Sequence, residues 1–315
     1  MGSLPASRVT ASFPFSRCGV DYTGPIYIKS SERKNSALIK SYVCLFLCFV
    51  TKAVHIELVN SLFAKDFLLA LKRFTVRRGI PAKMYSDNSK TLVGAQTILN
   101  LILNQIIDSP ETKNFLLSNK IEWKFTAPYS PHSGGVYKAE IKSFKRIFRL
   151  FAKNKSLTFQ EAETITIQIE GILNSRPLTP ISSDPHDLEA LTPGHFLIGR
   201  PTMMLPFFLP ESHRATNLTE NWKIIQKITQ GFWTRWSNEY LQELQRSKKW
   251  HEDNCNLKEG TLVILKDPGL HPTFWKLARV MKVKSGKDGK TRIAIIKTST
   301  GVTTRAITEL CPLLN

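Results

Sequence analysis

The chain predicts an α/β fold: a mixed five-stranded sheet flanked by helices, followed by a helical linker and a small all-β module. Three observations predict it. The first half alternates in the order strand, strand, strand, helix, strand, helix, strand, helix. A helix crossover separates the third strand from the fourth, which makes that pair parallel and turns an initial meander into a mixed sheet. Beyond Leu257 the texture changes to short strands separated by Asp267-Pro268-Gly269 and Lys287-Asp288-Gly289, as in a small antiparallel barrel. The expected organisation is an unstructured lead-in over 1–16, an α/β core over 17–176, an extended tether with an aromatic-rich helix over 177–250, and the barrel over 255–315.

The individual elements follow from local pattern. Gly19 to Lys29 reads as a strand with a Gly-Pro break, carrying Asp21 near its start. Tyr42 to Val50 is a near-continuous apolar run, as in a strand covered on both faces. Ala53 to Val59 alternates, with His55 and Glu57 on the polar side, and predicts a half-exposed strand. Ala64 to Arg78 is helical, with Phe67, Leu68, Leu71 and Phe74 on one side, and ends in Arg77-Arg78-Gly79-Ile80-Pro81. Lys83 to Ser86 is a short strand ending on Asp87. Residues 95–120 are mostly helical, and Ile121 to Thr126 alternates like a strand. Thr158-Phe159-Gln160-Glu161 is a capping box opening a helix to Asn174. Residues 177–210 hold seven prolines, and so read as the tether. In the helix from Thr219 to Trp250 the aromatics fall at helical spacings, which favours core packing over base stacking.

Composition narrows the partner. Of 315 residues, 44 are Lys or Arg and 25 are Asp or Glu, a formal charge of +19. That excess favours a polyanion, with nucleic acid the first candidate and a membrane surface the second. No apolar run reaches transmembrane length. The five cysteines are scattered, with no C-x-x-C pair, and suit a reducing compartment; Cys44 and Cys48 read as core residues. His132, His186, His195 and His213 are too dispersed for a zinc site. The opening MGSLPASRVT is polar and shows no signal peptide.

Ala127 to Lys153 is the richest stretch. A Pro/Gly-punctuated loop, APYSPHSGG, runs into a helix with an apolar stripe of Ile141, Phe144, Phe148 and Phe151. Beside it runs a basic stripe of Lys138, Lys142, Lys145, Arg149 and Lys153. A helix with one face in a core and cations on the other can lie along a phosphate backbone. The barrel adds Lys276, Arg279, Lys282, Lys284, Lys287, Lys290, Arg292 and Lys297.

The segments GVDYTGP, YVCLFLCFVTKAVHIELV, KRFTVRRG, YSDN, APYSPHSGG, LNSRPLTP and DLEALTPGHFLIGRP, in this order, resemble the integrases of BEL/Pao-type long-terminal-repeat retrotransposons. FWTRWSNEYL, GTLVILKD and VKSGKDGKTR resemble the C-terminal barrel of the same proteins. The resemblance implies an RNase H-like core, an SH3-like barrel, DNA as partner, a homo-oligomer, a nuclear location and no membrane. It also implies a site in which two aspartates and a glutamate hold two Mg²⁺ or Mn²⁺ ions. Such ions, roughly 4 Å apart, stabilise the entering and leaving oxygens of phosphodiester attack, and hard cations need carboxylate oxygens.

By this resemblance the first two acids fall on Asp21 and Asp87, the catalytic and metal-binding pair. The glutamate position after Gly134-Gly135-Val136-Tyr137 is Lys138. An ammonium there repels the cations, and two carboxylates hold Mg²⁺ weakly. Glu140 lies two residues on, about 200° round the helix from position 138. In the second-aspartate motif, Ser89 replaces the family's glycine; if that glycine needs a positive φ, Ser89 strains the turn. Against the family's pattern, in which a zinc-binding N-terminal module often precedes this core, the chain reads as a truncated copy or a partial gene model. The reading is an integrase-like nucleic-acid-binding protein with an impaired metal site. The DNA-contact candidates are Lys138, Lys142, Lys145, Arg149, Lys153, Lys282, Lys284, Lys290 and Arg292. Two further readings are an active enzyme drawing on Glu140 and a non-enzymatic chromatin-binding scaffold.

Overall fold

The computed structural model describes residues 10–31, 36–105, 121–125, 141, 144–148, 157–182, 184, 186–203, 220–247, 257–267, 270–285 and 291–313. The chain divides into two units, Met1–Leu173 with Leu209–Thr229 and Asn174–Phe208 with Gln230–Asn315.

The first unit is built on β1 (Arg17–Lys29). β1 pairs antiparallel with β2 (Leu38–Cys48) from Cys18↔Cys48 to Lys29↔Leu38, and β3 (Val54–Val59) continues the meander antiparallel to β2. On the other side of β1, β4 (Lys83–Ser86) pairs parallel over Arg17–Gly19 alone, and β5 (Glu122–Phe125) runs parallel to β4. The sheet order is β3-β2-β1-β4-β5, so the mixed five-stranded sheet is present. The crossover helix carries the chain from the β3 edge to the far side of β1, so β4 neighbours β1 rather than β3. The Gly-Pro break lies inside a continuous strand. The ladder shifts register between Thr23 and Ile26, Gly24 has φ +141°, and a Cβ there would lie 2.8 Å from the Tyr42 ring.

α1 (Ala64–Arg78) buries Phe67, Ala70, Leu71 and Phe74 and stops at Gly79, whose φ is +89°. Phe74 stacks on Phe46 at 4.2 Å and meets Phe15 edge-on at 5.3 Å. Phe15 is fully buried, so the expected lead-in is anchored at its end: an aromatic ring next to an open core is drawn in. α2 (Lys90–Gln105) starts earlier than the sequence pattern suggests; the rest of the expected helix lies outside the described residues. α3 (Phe159–Asn174) opens with the expected capping box. Thr158 N donates to Glu161 Oε2 at 2.8 Å, and Glu161 N to Thr158 Oγ1 at 3.3 Å. Ile165, Ile169, Ile172 and Leu173 are buried.

β3 departs from expectation: all six residues are buried, including His55 and Glu57. What looks like a polar face is an internal ion network. His55 Nε2 lies 3.0 Å from Glu57 Oε1, and Glu57 also accepts from Arg73 Nε at 2.5 Å and from an Arg77 guanidinium nitrogen at 3.2 Å. Glu170, from α3, accepts from Arg78 at 2.6 Å and from the Ile56 backbone N–H at 2.8 Å, capping a donor on the outer edge of β3. His55 Nδ1 sits 3.4 Å from both Glu170 Oε2 and Arg78 Nε. Burial alone would lower the His55 pKa, but hydrogen bonds and charge from Glu170 and Glu57 outweigh it and raise it. Burial alone would raise Glu57, but His55 and Arg73 outweigh it and hold it below its ordinary value.

In the second unit the expected tether is folded. β6 (Thr179–Pro180) pairs antiparallel with β7 (Ala190–Leu191), and α4 (Pro193–Ile198) follows. Proline at the start of a helix is compatible with its missing N–H, so a proline-rich stretch need not be extended. In α5 (Glu220–Ser247), Phe232, Trp233 and Trp236 are buried, in line with core packing. The C-terminal sheet is antiparallel throughout, in the order β11-β10-β9-β8-β12. Its strands are β8 (Leu262–Leu265), β9 (Leu277–Ser285), β10 (Thr291–Thr298), β11 (Gly301–Ala306) and β12 (Leu310–Pro312); β12 was not legible as a strand. Val263, Ala278, Val280, Ala294, Ile296 and Leu310 form its core.

The β3 network makes a stability prediction. Replacing Glu57 by Gln removes the anion from a buried His–Glu pair and is expected to cost about 3 kcal/mol in urea denaturation. The stability gap between wild type and His55→Gln should be widest below the ordinary histidine pKa of 6.5 and shrink as pH rises through the raised folded value. Glu57 contributes above its ordinary 4.5, and that contribution should fade as pH falls through the lowered folded value.

Candidate active site and nucleic-acid surface

The parallel β1–β4 ladder ends at Gly19↔Tyr85. Two residues further along β1 is Asp21, and two residues past Tyr85 is Asp87. Equal offsets from a parallel pair put the two aspartates at the same level along the two strands. Asp21 sits within β1, opposite Leu45 of β2, rather than at the strand's end. Asp87 follows the last residue of β4 and is exposed.

Each carboxylate is held locally. Asp21 Oδ1 accepts from the Tyr22 N–H at 2.7 Å, and its Oδ2 lies 2.6 Å from Lys145 Nζ. Asp87 Oδ1 accepts from Ser89 N at 3.2 Å, and the Ser89 carbonyl begins α2 by accepting from Leu92 and Val93. Ser89 has no positive φ, so the expected strain at this turn is absent; the residue opens the helix instead. Behind the turn, buried Ser86 accepts from Trp123 Nε1 at 2.8 Å and donates to the Asp87 carbonyl at 3.0 Å. That relay from β5 fixes the backbone on which Asp87 rides. The sequence reading missed Ser86; its signal was a hydroxyl residue at an inward position one step before a motif aspartate.

Lys145 lies on helical segment 144–148, where Phe144, Ile147 and Phe148 are buried and the Phe144 and Phe148 rings stack at 5.3 Å. The apolar stripe is therefore inward as expected at Ile141, Phe144 and Phe148. Lys145 itself points at Asp21, not at open solvent, which departs from its expected place on a phosphate-facing stripe. Lys138, Glu140, Lys142, Arg149, Lys153 and Lys290 lie outside the described residues, as do the loop before Lys138, His132, His213 and Cys255.

Among the described residues, the carboxylates at the motif positions are those of Asp21, paired with an ammonium, and Asp87. Among the described residues no group of three or more His, Cys, Asp or Glu side chains could hold a metal ion. Those described donors alone do not fit a pair of Mg²⁺ or Mn²⁺ ions. The described histidines all have other work: His55 in the β3 network, His186 beside Lys297, His195 accepting from Thr192 N at the start of α4, and His271 bonded to Thr273. Burial pushes the His271 pKa down to about 4, which keeps that ring neutral.

On the C-terminal sheet, Lys282, Lys284 and Arg292 are exposed, with Lys282 opposite Ile295 and Lys284 opposite Ile293. Arg279 is not part of that surface. It is buried and donates to the carbonyls of Gly260, Ser182 and Asp187 at 2.7–3.3 Å. Among the described residues no helix is long and apolar enough to cross a membrane.

Residues 220–313 match the family of unknown function DUF5641. No curated protein matches the chain. Among solved structures, the chain is similar to one in the cryoEM structure of the simian T-cell lymphotropic virus intasome in complex with PP2A regulatory subunit B56 gamma. The alignment covers 100% of this chain and 84% of that one, at 13% identity and a TM-score of 0.38. A likeness that distant carries no argument of its own.

The Ser86 relay is testable. Ser86→Ala leaves the Trp123 indole N–H without its buried partner and should cost about 1–3 kcal/mol in chemical denaturation, with a shift in tryptophan emission.

Proposed function

We propose that this chain is an integrase-like, DNA-binding protein of a retrotransposon, impaired in strand transfer. One observation supports the reading: Asp21 and Asp87, on which motif order puts the first two acids, each lie two residues beyond the last pair of the parallel β1–β4 ladder, Gly19↔Tyr85. The third motif position is Lys138. Of the two acids in place, Asp21 is already bound to a lysine. The charge of +19, with exposed Lys282, Lys284 and Arg292, supports duplex DNA as the partner. Binding by such cations is electrostatic and depends little on base sequence.

The decisive experiment is Lys138→Glu in a strand-transfer assay, with Mg²⁺ and Mn²⁺ in parallel. The variant should exceed wild type by at least tenfold, a gain of about 1.4 kcal/mol in transition-state stabilisation. Equal activity in the two proteins would refute the impairment. For DNA binding, affinity for a duplex should fall steeply between low and moderate salt. Lys282→Ala and Lys284→Ala should each lower the log–log salt slope by roughly 1. Salt-independent affinity would instead favour a protein-binding scaffold.

A further inference from the structure

Asp21 carries its own cation. Lys145 Nζ lies 2.6 Å from Asp21 Oδ2, and the two side chains are 22% and 21% exposed, so water screens the pair only in part. The other oxygen, Oδ1, is taken by the Tyr22 N–H. Both oxygens therefore have a donor, and the charge of the carboxylate is balanced. The lysine is not a drifting surface side chain. Its backbone is pinned by Phe144, Ile147 and Phe148 on the buried side of the same turn. Asp21 is equally fixed, because β1 is paired on both sides close to it. Asp87 differs: it is exposed, and among the described residues it makes no ion pair.

A divalent cation binding at Asp21 must therefore displace an ammonium already at contact distance, or accept a neighbouring positive charge. Either way the affinity of the site falls. We propose that Lys145 is the resident counter-ion of Asp21, a tethered ammonium that occupies the place of a divalent cation and competes with it. The inference rests on reading Asp21 and Asp87 as the former metal pair. It adds a second source of impairment, separate from Lys138 and seated on a different acid. It also means that the Asp21 carboxylate is charge-balanced without metal.

The test is Mn²⁺ binding to the full chain, read from free Mn²⁺ by electron paramagnetic resonance and from the Mn²⁺-induced shift in melting temperature. Lys145→Gln should bind Mn²⁺ about tenfold or more tightly than wild type, and show a melting shift that wild type lacks. Lys145→Arg keeps the charge and should behave as wild type. Adding Asp21→Asn to Lys145→Gln should abolish the gain. If Lys145→Gln does not fold, Lys145→Met, which keeps the apolar stem, takes its place. Equal Mn²⁺ binding in wild type and the neutral variant, including none in either, would overturn the proposal. So would a gain that survives Asp21→Asn. Equal binding combined with strand transfer recovered by Lys138→Glu would remove this inference and leave the proposed function standing. Tight binding of two Mn²⁺ by wild type would remove both.

Discussion

The first unit depends on a demand made of one strand: β1 must pair with neighbours of opposite sense. β2 runs antiparallel to it along nearly its whole length, while β4 runs parallel to it for three residues only. β1 continues past its short ladder with β4, and Asp21 and Asp87 each lie two residues beyond the last pair. The Ser86–Trp123 bond and the Ser89 helix start then hold the departing chain in a defined path.

Buried charge recurs in this molecule with one logic. In the β3 network, two carboxylates, an imidazole and three guanidinium groups sit together, and their mutual contacts offset a desolvation cost that none could meet alone. A carboxylate on α3 satisfies the edge of β3, so helix and sheet are joined by polar as well as apolar contacts. Asp21 and Lys145 repeat the arrangement with one pair at a more open place. Part of the strongly basic composition is thus paired within the fold: Arg73, Arg77, Arg78, Lys145 and Arg279 each meet an acceptor.

Much of the architecture was legible in the sequence. The apolar run of β2, the α1 stop signals and the α3 capping box each depend on a few neighbouring residues, and each lies close to where the pattern places it. What escaped was set by long-range contact. Alternation in β3 reads as one wet face, because nothing in residues 53–59 announces that Arg73, Arg77 and Glu170 will arrive there. Lys145 reads as one of a row of surface cations until β1 is brought beside it. The proline-rich stretch reads as a tether, since two residue pairs at Thr179–Pro180 and Ala190–Leu191 are too short to register as strands.

Arg279 has a consequence for how the chain can be divided. Three of its four hydrogen bonds end on the carbonyls of Ser182 and Asp187, well before residue 220, where the DUF5641 match begins. A fragment cut at that match would keep the guanidinium but lose the backbone that solvates it, leaving a cation in an apolar sheet with one acceptor. The smallest piece able to fold as the second unit folds here must include the turn around residues 182–187, so the natural seam for dissection lies upstream of Ser182.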